Sequence, residues 1–150
     1  MTLTAQIALA SAIVALSVLL HLVGLAALLA VLRRHRPATR PMAAFILDGA
    51  AILLAAFGLF ALHSAEIWLW AAVYRGLGLF AQFEQALYFS TSTYVTIGYG
   101  DVVLPPGSRI LGSIEGASGI ILIGWSTAFF FAIVDRLKLL ERGLEREREN

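Results

Sequence analysis

The sequence predicts an all-α membrane protein with three spanning helices and one short helix that enters and leaves the bilayer from the same side. Three observations carry that reading. Hydrophobic residues make up 59% of the 150-residue chain and the mean hydropathy is +0.82, above what soluble domains carry. Charged residues are only 14% of the chain and gather between Arg33 and Arg40 and between Asp135 and Glu149, leaving long apolar runs between them. Between the second and third runs, Gly76, Gly78 and Pro105-Pro106-Gly107 bracket an apolar stretch too short to span. The net charge of +1 gives no reason to expect a nucleic-acid partner, and the absence of cysteine excludes disulfides, thiolate metal sites and cysteine nucleophiles.

Leu3 to Leu32 contains no acid or base other than His21, and as a helix it would extend roughly 45 Å, against a hydrocarbon core about 30 Å thick. It is too long for the core of a signal peptide and has no basic residues ahead of it, so a retained spanning helix is expected. In the next segment, Arg33, Arg34, Arg36 and Arg40 belong on the cytoplasmic side, while Pro37 and Pro41 end helices. The amino terminus then lies outside. Residues 1–41 are read as a helix plus basic loop, a unit distinct from residues 42–135.

A second helix from near Met42 to about Tyr74 crosses outward, its end marked by Trp68, Trp70, Tyr74 and Arg75 as a membrane interface. The amphipathic stretch from Phe83 to about Tyr94 has about 12 residues, fewer than a span needs. A third spanning helix runs from about Ser108 to Asp135, and Arg136, Lys138 and Arg142 after it agree with a cytoplasmic end. The Phe83 helix must therefore re-enter from outside. Non-helical backbone at membrane depth is tolerated only where protein buries it or water fills a cavity beside it, so the topology already calls for a pore.

At that place stands Thr96-Ile97-Gly98-Tyr99-Gly100-Asp101. A dehydrated cation can regain its lost water shell from closely spaced backbone carbonyls without any charged side chain. Gly98 and Gly100 suit the unusual backbone this requires, since glycine reaches positive φ cheaply, and the Thr96 hydroxyl can add a lowest ring of ligands. The motif closely resembles the selectivity filter of potassium channels, with Ile97 where valine is commoner. From about Met42 to Asp135 the chain is similar to the family's pore module of outer helix, pore helix, filter and inner helix, and the Leu3 to Leu32 helix is additional. The resemblance implies a passive K+ channel in a plasma or inner membrane, built as a fourfold homotetramer because each chain supplies one filter loop. K+ is the permeant ion, with no other cofactor. Weakly selective Na+/K+ passage and a non-conducting scaffold or sensor are the alternatives. No nucleophile-base set or phosphate loop points to an enzyme.

The resemblance also places Tyr99 against pore-helix aromatics, here Tyr88 and Phe89 where tryptophans are frequent, as a cuff setting the filter's width. It gives Asp101 a bracing role behind the filter, against the plainer reading of a solvated mouth charge, and puts Ser92 where some relatives carry an acid. Glu84 sits at the positive amino end of the pore helix. Gly119 falls at the inner-helix hinge, although Gly112, Gly116 and Gly124 make close helix packing the stronger reading for any single glycine. Steps of three and four from Gly119 give Ile123, Thr127 or Ser126, Phe130 and Val134 as a pore-lining stripe, with Phe130 either narrowing the mouth or packing.

Ionisable groups inside spans are functional candidates by default. Asp48 sits near enough to the cytoplasmic end to reach the interface. His63 and Glu66, three apart, share a helix face and can pair, reach Glu115 or the pore helix, or sense pH. Metal binding is the weaker reading, since one His and one Glu give two ligands and the spacing is not the His-Glu-x-x-His pattern. His21 stands alone in its helix, as a packing hydrogen-bonder. Glu115 is expected to brace the pore helix through Ser90, Thr91 or Ser92, or to titrate. Residues 136–150 carry Leu137, Leu140 and Leu144 between mixed charges, read as a short coiled-coil extension or a solvated end.

Overall fold

The computed structural model describes residues 1–33 and 41–137. Among these residues the chain forms four helices and no strand: α1 (Leu3–Arg33), α2 (Pro41–Gly76), α3 (Phe83–Tyr94) and α4 (Arg109–Leu137). The basic segment between α1 and α2 and the tail after Leu137, with Leu140 and Leu144, lie outside the described residues. α1, α2 and α4 are each long and apolar enough to cross a membrane. Their outward faces carry Val23, Phe57, Phe60, Ile121 and Phe131, all exposed, which suits a solvent of lipid tails.

Pro41 is the first residue of α2, a position where its missing N–H is lost at no cost and its fixed φ favours the helix. α2 ends in a Schellman motif: Gly78 has φ +70°, the Leu79 N–H reaches the Tyr74 carbonyl at 3.0 Å and the Gly78 N–H reaches Arg75 at 3.1 Å. Before α4, Pro105 to Ser108 form a turn closed by Ser108 N–H to Pro105 O at 3.1 Å, with Gly107 at φ +85° supplying the positive φ that a type II turn needs third.

The additional helix α1 is an integral part of the bundle. Gln6, Ala10, Ile13, Ser17, His21 and Leu25 are buried, a stripe at helical spacing, against α2 and α4. α1 and α2 close by exchanging small and large residues. A methyl group at Gly24 would overlap Leu62, and one at Gly58 would come within 2.8 Å of Leu28, so each glycine receives a leucine from the facing helix. At the other end of α1, the Gln6 side-chain oxygen accepts the Ile110 N–H at 3.2 Å, one of the donors that the first turn of α4 leaves without a helical partner.

Candidate functional site: an unwound loop and two buried carboxylates

α3 is short because its role ends where its chain must unwind. The Val95 and Thr96 N–H groups still reach back to Thr91 and Thr93, and the Gly98 N–H donates to the Ser92 carbonyl at 3.0 Å, folding the loop back on the helix end. Thr96, Gly98 and Gly100 have φ of +62°, +55° and +79°, while Ile97 and Tyr99 do not take positive φ. The backbone thus changes hand at every second residue. In an ordinary strand successive carbonyls point to opposite sides; alternating the hand turns them toward one side. For Thr96, the left-handed region costs roughly 1–2 kcal/mol, a strain that persists only where surroundings impose it.

The expected support residues divide by helix face. The Tyr88 hydroxyl donates to Asp101 Oδ2 at 2.8 Å, and that bond, as the main cause, holds the phenol above its ordinary pKa. Phe89, one residue on and about 100° around the helix, turns the other way, with its ring centroid 5.4 Å from both Tyr74 and Phe80. The two therefore do not form one cuff within a chain, and Tyr99 is 70% exposed. Ser92 is buried, and its hydroxyl bonds the Phe89 carbonyl at 3.1 Å; its contact with the filter loop is made by its backbone.

Glu115, fully buried, accepts the Ser90 hydroxyl at 2.5 Å and the Tyr74 hydroxyl at 2.6 Å, so α2, α3 and α4 meet on one carboxylate. The Ser90 contact is the one expected of a pore-helix brace. Tyr74 was legible only as an interface aromatic.

The other buried acid gathers more. Glu66 Oε1 accepts His21 Nδ1 at 2.8 Å, and Oε2 accepts His63 Nδ1 at 3.0 Å together with the Tyr94 hydroxyl. His63 Nε2 lies 2.9 Å and His21 Nε2 3.4 Å from Ser126 Oγ. His63 and Glu66 pair as one helix face allows, and they reach the pore helix through Tyr94 rather than Glu115. His21 is the helix-packing hydrogen-bonder expected of it: antiparallel packing of α1 on α2 brings it level with Glu66. Asp48 is buried too, on the inward side of α2.

The residues expected as a pore-lining stripe pack largely within the chain. Gly119 faces the end of α3, where a methyl group would overlap the Tyr94 carbonyl. Ile123 packs on the core around Tyr74 and Tyr94, and Ser126 faces the histidines. Phe130 packs with Phe129 against Leu25, Leu59 and Leu62. That stripe is the face α4 turns toward its own chain, because the same small and apolar residues that suit a pore also suit close packing. Thr127, bonded to the Ile123 carbonyl at 2.9 Å, stays exposed beside Ile120 and Phe131. Gly112 and Gly116 also touch α3, through Phe89 and Thr93, whereas Gly124 has open space.

Spanning helices around a short helix and an unwound, alternating-hand loop define a pore-loop membrane protein. The sequence model of the ion channel family matches residues 50–136, more than half of the chain, and the chain belongs to that family. It is a multi-pass membrane protein, with α1 lying before the matched region. Searches of curated proteins and of solved structures returned no match.

Proposed function

We propose that the chain is one subunit of a homotetrameric, potassium-selective channel that conducts K+ passively, with Thr96 to Gly100 as its filter. The observation that carries this reading is the alternation of positive φ at Thr96, Gly98 and Gly100 in a Thr-Ile-Gly-Tyr-Gly sequence. A ring of four such loops presents stacked carbonyls that replace a cation's hydration shell. Tyr88, bonded to Asp101 behind the loop, restrains it from one side. The exposed Tyr99 ring is left to pack on a neighbouring subunit, which is where a cuff would be completed. The exposed face of α4, with Ile120 and Thr127, is available to line the inner pore, and Gly119 serves first as the close contact that lets α4 approach the pore helix, with bending there a secondary role. The amino terminus lies outside and the carboxyl terminus in the cytoplasm of a cell membrane.

The test is purified protein in liposomes, with K+ flux measured against barium or tetraethylammonium block and reversal potentials taken under K+/Na+ gradients. K+ permeability far above that of Na+ supports the proposal. Equal permeabilities point to a weakly selective cation channel, and an intact oligomer with no flux points to a scaffold. Cross-linking the oligomer tests fourfold assembly. Single cysteines introduced ahead of α1 and after α4, in a chain that has none of its own, report the orientation.

A further inference from the structure

We propose that His21, His63 and Ser126 form a binding site for a borderline transition-metal dication of the Zn2+ or Co2+ kind, with Glu66 orienting both imidazoles from behind. Nothing in ion conduction requires it. The convergence of two imidazole nitrogens on one hydroxyl points to it. A carboxylate only accepts, and Glu66 offers one oxygen to each ring's Nδ1, at 2.8 Å for His21 and 3.0 Å for His63. The Tyr94 hydroxyl, also 3.0 Å from His63 Nδ1, gives its own proton to Glu66, so an ionised Glu66 places an N–H on each Nδ1, and a ring in its neutral form then presents an Nε2 lone pair. Both lone pairs converge on Ser126 Oγ, at 2.9 and 3.4 Å. One hydroxyl holds one proton and satisfies one nitrogen. The other nitrogen is closed by a proton or by a metal ion.

A metal answers both nitrogens at once, and the spacing fits. Ligands about 2.1 Å from a tetrahedral centre stand about 3.4 Å apart, close to the two Nε2 to Oγ distances. Two imidazoles sharing such a centre have ring centroids about 5 to 6 Å apart by the same geometry, and these are 5.5 Å apart. One donor atom each from His21, His63 and Glu66 lies within 4.8 Å of the others, so the carboxylate stands close enough to support both rings. A carboxylate on the far nitrogen of each ligating histidine is the support that metal-bound imidazoles ordinarily have, and imidazole donors suit zinc, cobalt and nickel rather than magnesium or calcium. His21 and Glu66 are fully buried while the His63 side chain is 17% exposed, so entry is past His63. A bound ion would tie α1, α2 and α4 together, with Glu66 carrying the link to Tyr94 of the pore helix.

The experiment is Co2+ titration of the full chain, purified without a histidine tag and carrying His35→Gln to remove the third histidine. Visible absorption of four-coordinate Co2+ and the thermal midpoint are the readouts, neither of which depends on conduction. Saturation at one Co2+ per chain with a raised midpoint is expected. His21→Gln and His63→Gln should each weaken binding more than about 100-fold, and Glu66→Gln about 10- to 100-fold. His63→Gln, at the accessible edge, keeps the comparison valid if the His21 variant loses its oligomer. No saturable spectrum at millimolar Co2+, or a spectrum that survives His63→Gln in a folded oligomer, overturns the site and leaves a proton as the cation that closes the cluster.

Discussion

Glu66 and Glu115 are both fully buried on spanning helices, yet they are held by different chemistry. Glu115 is met by two hydroxyls, from Tyr74 and Ser90. Glu66 is met by two imidazoles and one phenol, and the imidazoles continue to Ser126. Ser126 lies eleven residues after Glu115 on α4, about 16 Å further along the axis. Glu115 and both of its partners fall inside the region matched to the ion channel family, while Glu66 recruits His21 from the helix before it. The difference teaches how an extra helix is joined to a pore module in lipid. Apolar contact alone gives little preference over lipid tails, so α1 is fastened through interlocked glycine and leucine pairs and a buried polar bond.

The largest expected effect comes from that contrast. Glu66→Ala leaves two imidazole N–H groups and the Tyr94 hydroxyl without their acceptor, and should cost about 3–5 kcal/mol, read as a fall in the thermal midpoint of the purified oligomer. Glu115→Ala strands two hydroxyls that can rotate to other acceptors, and should cost about 1–3 kcal/mol. Equal losses would erase the distinction between the two braces.

A smaller effect probes the contact that places both braces against the pore helix. Gly119→Ala forces a methyl group onto the Tyr94 carbonyl and should destabilise by about 1–3 kcal/mol through overpacking. Gly124→Ala meets open space and should be neutral or stabilising by up to about 1 kcal/mol from helix propensity. If instead Gly119→Ala leaves the melting curve unchanged and alters only open probability, bending outweighs packing at that position.

The smallest effect sharpens the Glu115 side. Tyr74→Phe removes one of two donors while Ser90 still bonds the carboxyl, for a cost of about 1 kcal/mol in the same melting assay. Glu115→Gln keeps a group able to pair with both hydroxyls and should keep K+ flux in liposomes. Loss of flux with an intact oligomer would show that the acid's charge, and not its bonding, is what the pore helix requires.

Much of the fold was legible in the residues themselves. Hydropathy alone marks the three long helices, since a bilayer leaves a chain no alternative to burying its backbone polar groups in helices. Gly78 and Gly107 announce the turns they make, because only glycine takes those φ values freely. The unwound loop after α3 was readable for the same reason at Gly98 and Gly100. The Ser90 contact of Glu115 was within reach, being one of three hydroxyls on adjacent pore-helix positions. The fate of the Gly119, Ile123, Ser126 and Phe130 stripe was not, because spacing shows that residues share a face and says nothing of what that face meets.

By itself the sequence determined the number of spans, the short helix between the second and third, and the backbone freedom of Gly98 and Gly100, all of which come from local composition and glycine placement. Only the tertiary structure decided that His21 meets Glu66 45 positions away, that Tyr74 and Ser90 share Glu115, and that Phe89 turns from the filter loop into the core. Those pairings depend on which helix faces meet and at what height. That is set by glycines receiving leucines across α1 and α2 and by the approach of α4 to the pore helix, a property of packed surfaces that no single stretch of chain contains.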